Sequence, residues 1–368
     1  MLRRAEEMTP RHRPVRIAQF RPGHCWWTAL AARALATLAA AAWFQPGATA
    51  QQRSIGTIVY THAPDGSDPW PVTDIYSITG KSLVKALTND GHSHNPTWSP
   101  DGRRILFIHD STLQTAPAYR EEKQFESHHP VELHVMDADG GNRHLLRRLE
   151  PVIYSAAWSP DGRTLAVTSL PETRVDRPTK ADEPMRAGLF LLPATGQDEP
   201  RLLFRNAFTP SWSPDGRRLA FSVEKPRGQW SVHTGKVDGS GDIQLTDPRR
   251  NEGSPAWSPD GKRIAFDEFA AEGRQQILVM DEDGTHVRQL TRNPNWSCGH
   301  PSWSPDGKQI VFSCRSTAGS CGMGVSSTGQ ILPPCVRRLF IASLRDAASE
   351  PTRINDHDSA SPAFAPAP

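Results

Sequence analysis

From Ser54 onward, apolar and polar residues alternate over short runs bounded by turn residues, the pattern of half-buried strands. Thr57-Ile58-Val59-Tyr60 and Asp74-Ile75-Tyr76-Ser77 are the first such runs, joined by a Pro-, Asp- and Gly-rich turn. One pentapeptide then punctuates the chain. Trp-Ser-Pro-Asp-Gly occurs unchanged at Trp98–Gly102, Trp158–Gly162, Trp212–Gly216, Trp257–Gly261 and Trp303–Gly307, with Trp spacings of 60, 54, 45 and 46 residues. Seven and nine residues past each Trp stand Ile105/Phe107, Leu165/Val167, Leu219/Phe221, Ile264/Phe266 and Ile310/Phe312. Side chains two apart on a strand share a face, so each pair belongs to one buried face. Two residues before the Trp comes Pro96, Pro210, Pro255 or Pro301, with Ala156 in the remaining copy.

Ser-Pro-Asp-Gly has the residue order of a type I turn, so a strand ending in Trp reverses into a second strand. A third strand follows at Glu132–Asp137, Gly188–Leu192, Trp230–Val237, Gln276–Asp281 or Arg338–Leu344, and a short fourth at Gln244–Thr246 or Gln289–Thr291. Four antiparallel strands repeating at this period predict β-propeller blades, with the Trp and the apolar pairs filling the space between them. The residues before Trp98 supply strands two to four of a unit that lacks its first, and Ser361-Pro362-Ala363-Phe364 resembles a lone first strand. The expected fold is therefore all-β: a six-bladed propeller over residues 54–366, closed by pairing the C-terminal strand with the N-terminal blade. In this reading the pentapeptide folds the protein and does no chemistry.

Composition sharpens this picture at one end. Residues 1–50 carry seven Arg and two Glu, leaving 35 Lys and Arg against 38 Asp and Glu elsewhere, so no basic field argues for nucleic acid. A basic start, an Ala/Leu-rich run from Cys25 to Phe44 broken by Arg33, and the exit Ala48-Thr49-Ala50 predict a secretory signal over residues 1–50, cut after Ala50. The rival reading is a retained anchor, which Arg33 and the small-residue exit oppose. The mature chain is expected in the periplasm or secreted, touching the membrane only through the transient signal. Its four cysteines, Cys298, Cys314, Cys321 and Cys335, are even in number, as disulfides in an exported chain require. Three connectivities are possible. Positions summing to about 612 face each other across the last turn, which pairs Cys298 with Cys314 and leaves Cys321 with Cys335. No Cys-x-x-Cys pair supports a zinc cluster.

The stretch Gln276–Thr291 followed by Pro301–Phe312, together with Val135-Met136-Asp137-Ala138-Asp139-Gly140, resembles the repeat of the TolB β-propeller family. The resemblance covers about residues 55–366 and implies the six-bladed fold. It implies a propeller-only member, without the α/β domain that precedes the blades in TolB itself, and a Tol–Pal role does not follow from it. Similar repeats precede the hydrolase domain of prolyl-oligopeptidase-type peptidases, but no Gly-x-Ser-x-Gly elbow follows a strand here. Some polysaccharide lyases are built on such repeats as well.

Three long insertions, Asp110–Pro130, Pro171–Arg186 and Arg315–Val336, all join strand two to strand three and so are expected on one face. The residues entering the central channel on that face are His92, His94, Asn95, Asn206, Asn251, Trp296, His300, His357 and Asp358, a polar funnel for a ligand or partner. The leading expectation is a monomeric, non-catalytic protein without cofactor that binds an envelope protein or peptide through this face. The alternative is a propeller enzyme, lyase-like or hydrolytic, using funnel histidines with or without a metal. His128 and His129 read as solvated surface.

Overall fold

The computed structural model describes residues 56–63, 73–80, 82–110, 131–149, 153–169, 187–269, 274–317, 336–345, 350–356 and 358–367. The proposed signal segment, the bulk of the three insertions, His357, Cys321 and Cys335 lie outside them. The described residues build six four-stranded antiparallel sheets. Blade 1 is β1 (Thr57–His62), β2 (Asp74–Thr79) and β3 (Leu83–Ala86); blade 2 is β4 (Ser93–Trp98), β5 (Arg104–Asp110), β6 (Val131–Asp137) and β7 (His144–Leu149). Blade 3 is β8 (Ile153–Trp158), β9 (Thr164–Ser169), β10 (Gly188–Pro193) and β11 (Arg201–Arg205). Blade 4 is β12 (Ala207–Trp212), β13 (Arg218–Lys225), β14 (Gln229–Lys236) and β15 (Ile243–Gln244). Blade 5 is β16 (Glu252–Trp257), β17 (Arg263–Phe269), β18 (Gln275–Asp281) and β19 (Arg288–Gln289). Blade 6 is β20 (Trp296–Trp303), β21 (Gln309–Ser316), β22 (Arg337–Ser343) and β23 (Thr352–Arg353). The last strand, β24 (Ser359–Phe364), pairs with β1 and completes blade 1. Among the described residues no helix is long and apolar enough to cross a membrane.

Each Ser-Pro-Asp-Gly turn is held by the same four bonds. In blade 4, the Ser213 hydroxyl donates to Asp215 at 2.6 Å and accepts from Arg218 N at 2.9 Å. Asp215 accepts from Arg217 N at 3.1 Å, and Gly216 N donates to the Ser213 carbonyl at 2.9 Å. The glycine has φ +69°, a conformation that disfavours any side chain. The turns also touch around the ring: a β-carbon on Gly162 would come within 3.3 Å of Pro100 in the preceding turn.

The short fourth strands have a physical cause. Thr88, Thr246 and Thr291 accept the first inner N–H of the third strand (Ile75, Val232, Ile277) on their side-chain oxygens at 2.8–2.9 Å. In blade 6 the Asn355 side chain does this for Leu339 at 2.9 Å. A side chain thus takes over from the backbone ladder, and the strand can end.

The core is six clusters, each bridging two neighbouring blades, and the clusters between blades 6 and 1 and between blades 1 and 2 close the circle. The repeat tryptophans lie in these seams. Arg104, Arg218 and Arg263, opening the second strand of one blade, stack on Trp158, Trp257 and Trp303 of the next, with guanidinium-to-ring distances of 4.9, 4.8 and 5.1 Å. In blade 6, Cys298 and Cys314 are directly opposed on β20 and β21 and form a disulfide, Cα to Cα 4.0 Å.

Candidate functional site

The first strand of every blade is the inner edge, and all six contribute to one open cavity of about 190 Å³ on the ring axis. Its wall is made by the residue three before each Trp and by its successor: Asn95, Ser155, Thr209, Ser254, His300 and Ser361, followed by Pro, or by Ala156 after Ser155. The prolines have no N–H to donate, which an edge strand tolerates.

All six inner strands break register near this level: in five the wall residue and its successor drop out of the pairing as a β-bulge, and in β8 only Tyr154 does, with Ser155 still paired to Thr168. In five of them the wall residue has positive φ: Asn95 (51°), Thr209 (48°), Ser254 (48°), His300 (58°) and Ser361 (49°). Such a conformation in a non-glycine residue persists only when its surroundings fix it. For three of the five the preceding blade provides the fixing. Thr61, Ser222 and Asp267, on the second strands of blades 1, 4 and 5, accept the backbone N–H of Asn95, Ser254 and His300 at 3.0, 3.0 and 3.1 Å. In blade 2 the equivalent residue is Ile108, which offers no acceptor, and in blade 3 it is Thr168, whose hydroxyl has no partner among the described residues although Thr209 has positive φ.

Further bonds run along the wall. Ser361 donates to Asn95 Oδ1 at 2.9 Å, Asn95 Nδ2 donates to the Tyr154 carbonyl at 2.9 Å, and Thr209 and Ser222 share a hydroxyl bond of 2.8 Å. Asp267 is the one carboxylate among these acceptors. It is 1% exposed, lodged where Gly253 and Gly299 leave room; a β-carbon on Gly299 would come within 3.0 Å of it. Burial pushes its carboxyl up, against the opposing charge of His300 and the bonds from His300 N and Ser254. His94, one residue before the bulge, is held down to about 4 by enclosure, with Asp110 opposing and His109 adding to the shift, so it is neutral at pH 7.

Of the nine residues of the sequence-derived funnel, His357 lies outside the described residues and the other eight fall into three groups. Asn95 and His300 line the cavity, and His94 adjoins it. His92, Asn206, Asn251 and Asp358 occupy equivalent places six residues before the Trp or Phe. Their carbonyls close the inner ladders by accepting from Asp110, Glu224, Phe269 and Ala63 at 2.9–3.2 Å. Two of their side chains are also committed within the blade: Asn251 accepts from Trp230 N at 3.1 Å and Asp358 from Arg337 N at 2.9 Å. Trp296 turns to a separate cavity beside Phe312 and Phe340. Sequence reasoning missed Ser155, Thr209, Ser254, Ser361 and Asp267. Superposing the repeats on the Trp would have shown the first four as a polar column just before the Pro or Ala.

A second polar cluster lies between blades 1 and 2. Asp90 pairs with Arg143 and accepts from Ser93 at 3.0 Å; Arg143 Nη2 donates to His109 Nδ1 at 2.9 Å, and His134 and Arg148 bond Glu132 at 2.8 and 2.7 Å. Ser93, His109 and Asp90 are the residue types of a hydrolytic triad, but Ser93 is wholly buried and donates to the carboxylate. That arrangement offers no exposed nucleophile. Among the described residues, no group of three or more His, Cys, Asp and Glu is arranged to hold a metal ion.

Comparison with known proteins agrees with this architecture. The family described as TolB beta propeller domain matches residues 189–330. The Tol-Pal system protein TolB of Anaeromyxobacter dehalogenans is 39% identical over 120 residues, which are 32% of this chain and 24% of that protein. An uncharacterized peptidase of Bacillus subtilis, YuxL, is 27% identical over 175 residues, 40% of this chain and 24% of that one. The chain thus spans about a quarter of the length of these relatives. The crystal structure of TolB from Acinetobacter baumannii superposes with a TM-score of 0.61 over 85% of this chain and 67% of that one, at 16% identity, a likeness of fold alone.

Proposed function

We propose, from the chain's membership of the TolB-like β-propeller family, that it is an exported binding protein that takes a protein or peptide segment at the mouth of its channel. The observation that carries this reading is the polar belt at one level of the channel, contributed by all six inner strands and pre-set by bonds between blades. Such a belt offers hydroxyl, amide and imidazole groups to the backbone of an extended ligand. Its geometry is fixed in advance, so little ordering cost attends binding. The hydroxyls of Ser361, Thr209 and Ser254 are bonded to Asn95, Ser222 and Asp267 rather than to His300, which favours recognition over turnover. Kinship with TolB supports a location in the bacterial envelope, where a periplasmic partner would be met.

The test is capture of a partner from envelope extract by purified protein, repeated with His300→Ala and with Asn95→Ala. Loss of one specific partner in both variants, each still folded by circular dichroism at the assay temperature, is the expected result. A partner retained equally by both variants would remove the channel mouth from the reading. Turnover of a peptide or polysaccharide by the wild type would replace it with the enzymatic one.

A further inference from the structure

We infer a second binding site, on blade 6 and apart from the channel wall, for a small zwitterion with an apolar side chain: an amino acid of the leucine or phenylalanine kind. The site is a cavity of about 160 Å³ walled by Trp296, Phe312, Phe340 and the Cys298–Cys314 disulfide. That volume is below the usual range of about 300–1,000 Å³ for drug-sized ligands, so it suits one small molecule. The walls are stiff. Trp296 meets Phe340 edge to face at 5.0 Å, Phe312 stacks on Phe340 at 6.4 Å, and the disulfide ties the two strands beneath them.

Three charged groups give the ligand its chemistry. Arg292 and Glu350 stand exposed on the rim, opposite in sign, and neither has a hydrogen bond or ion pair with a described residue. Arg338 does not line the cavity, but it is opposite Cys314 in the β21–β22 ladder and two residues from Phe340, so its side chain leaves the same face of the sheet as theirs. Its guanidinium lies 6.0 Å from the Trp296 ring, and its Nε is buried without an acceptor. A buried donor left unpaired is costly, and a carboxylate is the acceptor that satisfies a guanidinium best. A purely apolar ligand would leave that donor unpaired, and a small polar one would leave the aromatic walls unfilled. A zwitterion satisfies both: carboxylate to the arginines, ammonium to Glu350, apolar side chain among the rings.

The experiment is isothermal titration of the whole protein with L-leucine and L-phenylalanine, then with leucinamide, N-acetyl-leucine and glycine. Saturable one-to-one binding of the first two is expected, at least ten-fold weaker for the three that lack carboxylate, ammonium or side chain. Arg292→Ala and Glu350→Gln, both at the exposed rim, are expected to weaken leucine binding at least ten-fold with an unchanged melting temperature. His300→Ala leaves it unchanged, because the channel is not involved. No saturable binding of leucine or phenylalanine at millimolar concentration overturns the inference, as does binding that both rim variants retain in full.

Discussion

A serine hydroxyl that both donates and accepts is the smallest unit on which this molecule depends. Ser213 joins Asp215 to the backbone of Arg218, and the same pair of bonds recurs at Ser99, Ser159, Ser258 and Ser304. Ser213→Ala removes both, and about 1–2 kcal/mol of stability should go with them, read as a lower midpoint in urea. Asp215 is held below the usual carboxylate range first by the Ser213 hydroxyl and then by Arg217 N–H. A depressed carboxyl stabilises the fold above its unfolded pKa and loses that contribution as pH falls. Asp215→Asn should therefore cost stability at pH 7 and progressively less below about pH 4. Asp267 has the opposite sign, because burial raises it. The cost of ionising it in the fold is absent at low pH and grows as pH rises. Asp267→Asn keeps an acceptor for His300 N, so it should be at least as stable as wild type at pH 7 and lose any advantage near pH 3. A variant markedly less stable at pH 7 would mean that pairing with His300 outweighs burial.

The inner strand is where sequence and structure part company. Its Trp, its Pro and the turn after it were legible because each is a fixed residue type at a fixed spacing. The bulge was not. Asn, Thr, Ser and His occupy its left-handed position, and no glycine marks it. At Asn95, Ser254 and His300 it is held from the neighbouring blade, where Thr61, Ser222 or Asp267 catches the turned N–H. His92, Asn251 and Asp358, read from sequence as funnel groups, stand three residues before the left-handed position, where their backbone carbonyls close ladders. The bulge also sets the cysteine pairing. Below it, partners such as Trp303 and Ile310 sum to 613; above it, Cys298 and Cys314 sum to 612. If blade-to-blade capture fixes the bulge, Thr61→Val, near in shape but without an acceptor, should cost about 1–3 kcal/mol by stranding Asn95 N–H. Amide exchange at Asn95 should quicken with it. Unchanged exchange would mean that the bulge holds itself.

On the scale of the whole ring, the six-fold count was legible because the chain's two ends each carry an incomplete unit, and their sum is one blade. β24 supplies it. Ala365 N donates to the Thr57 carbonyl at 2.8 Å, as Ser99 N does to the Arg104 carbonyl at 2.9 Å within blade 2, so the joint repeats an ordinary blade contact. Phe364 takes the place of a Trp in the seam with blade 6, and Pro366 packs on Gly102 as Pro100 does on Gly162. A chain ending at Ile354 would leave the inner edge of β1 unpaired and uncover Ile58 and Tyr60, which are fully buried in the intact ring. Each seam supports the next, so the loss spreads beyond one blade. The shortened protein should melt well below wild type without a single cooperative transition, and its free edge should promote aggregation. A synthetic peptide of residues 355–367 offers the missing strand from outside. If the joint is an ordinary blade contact, saturating peptide should restore one sharp transition, whereas a peptide with Phe364→Asp should not. Full cooperativity in the shortened chain alone would show that five blades and a partial sixth suffice, and that β24 only decorates the ring.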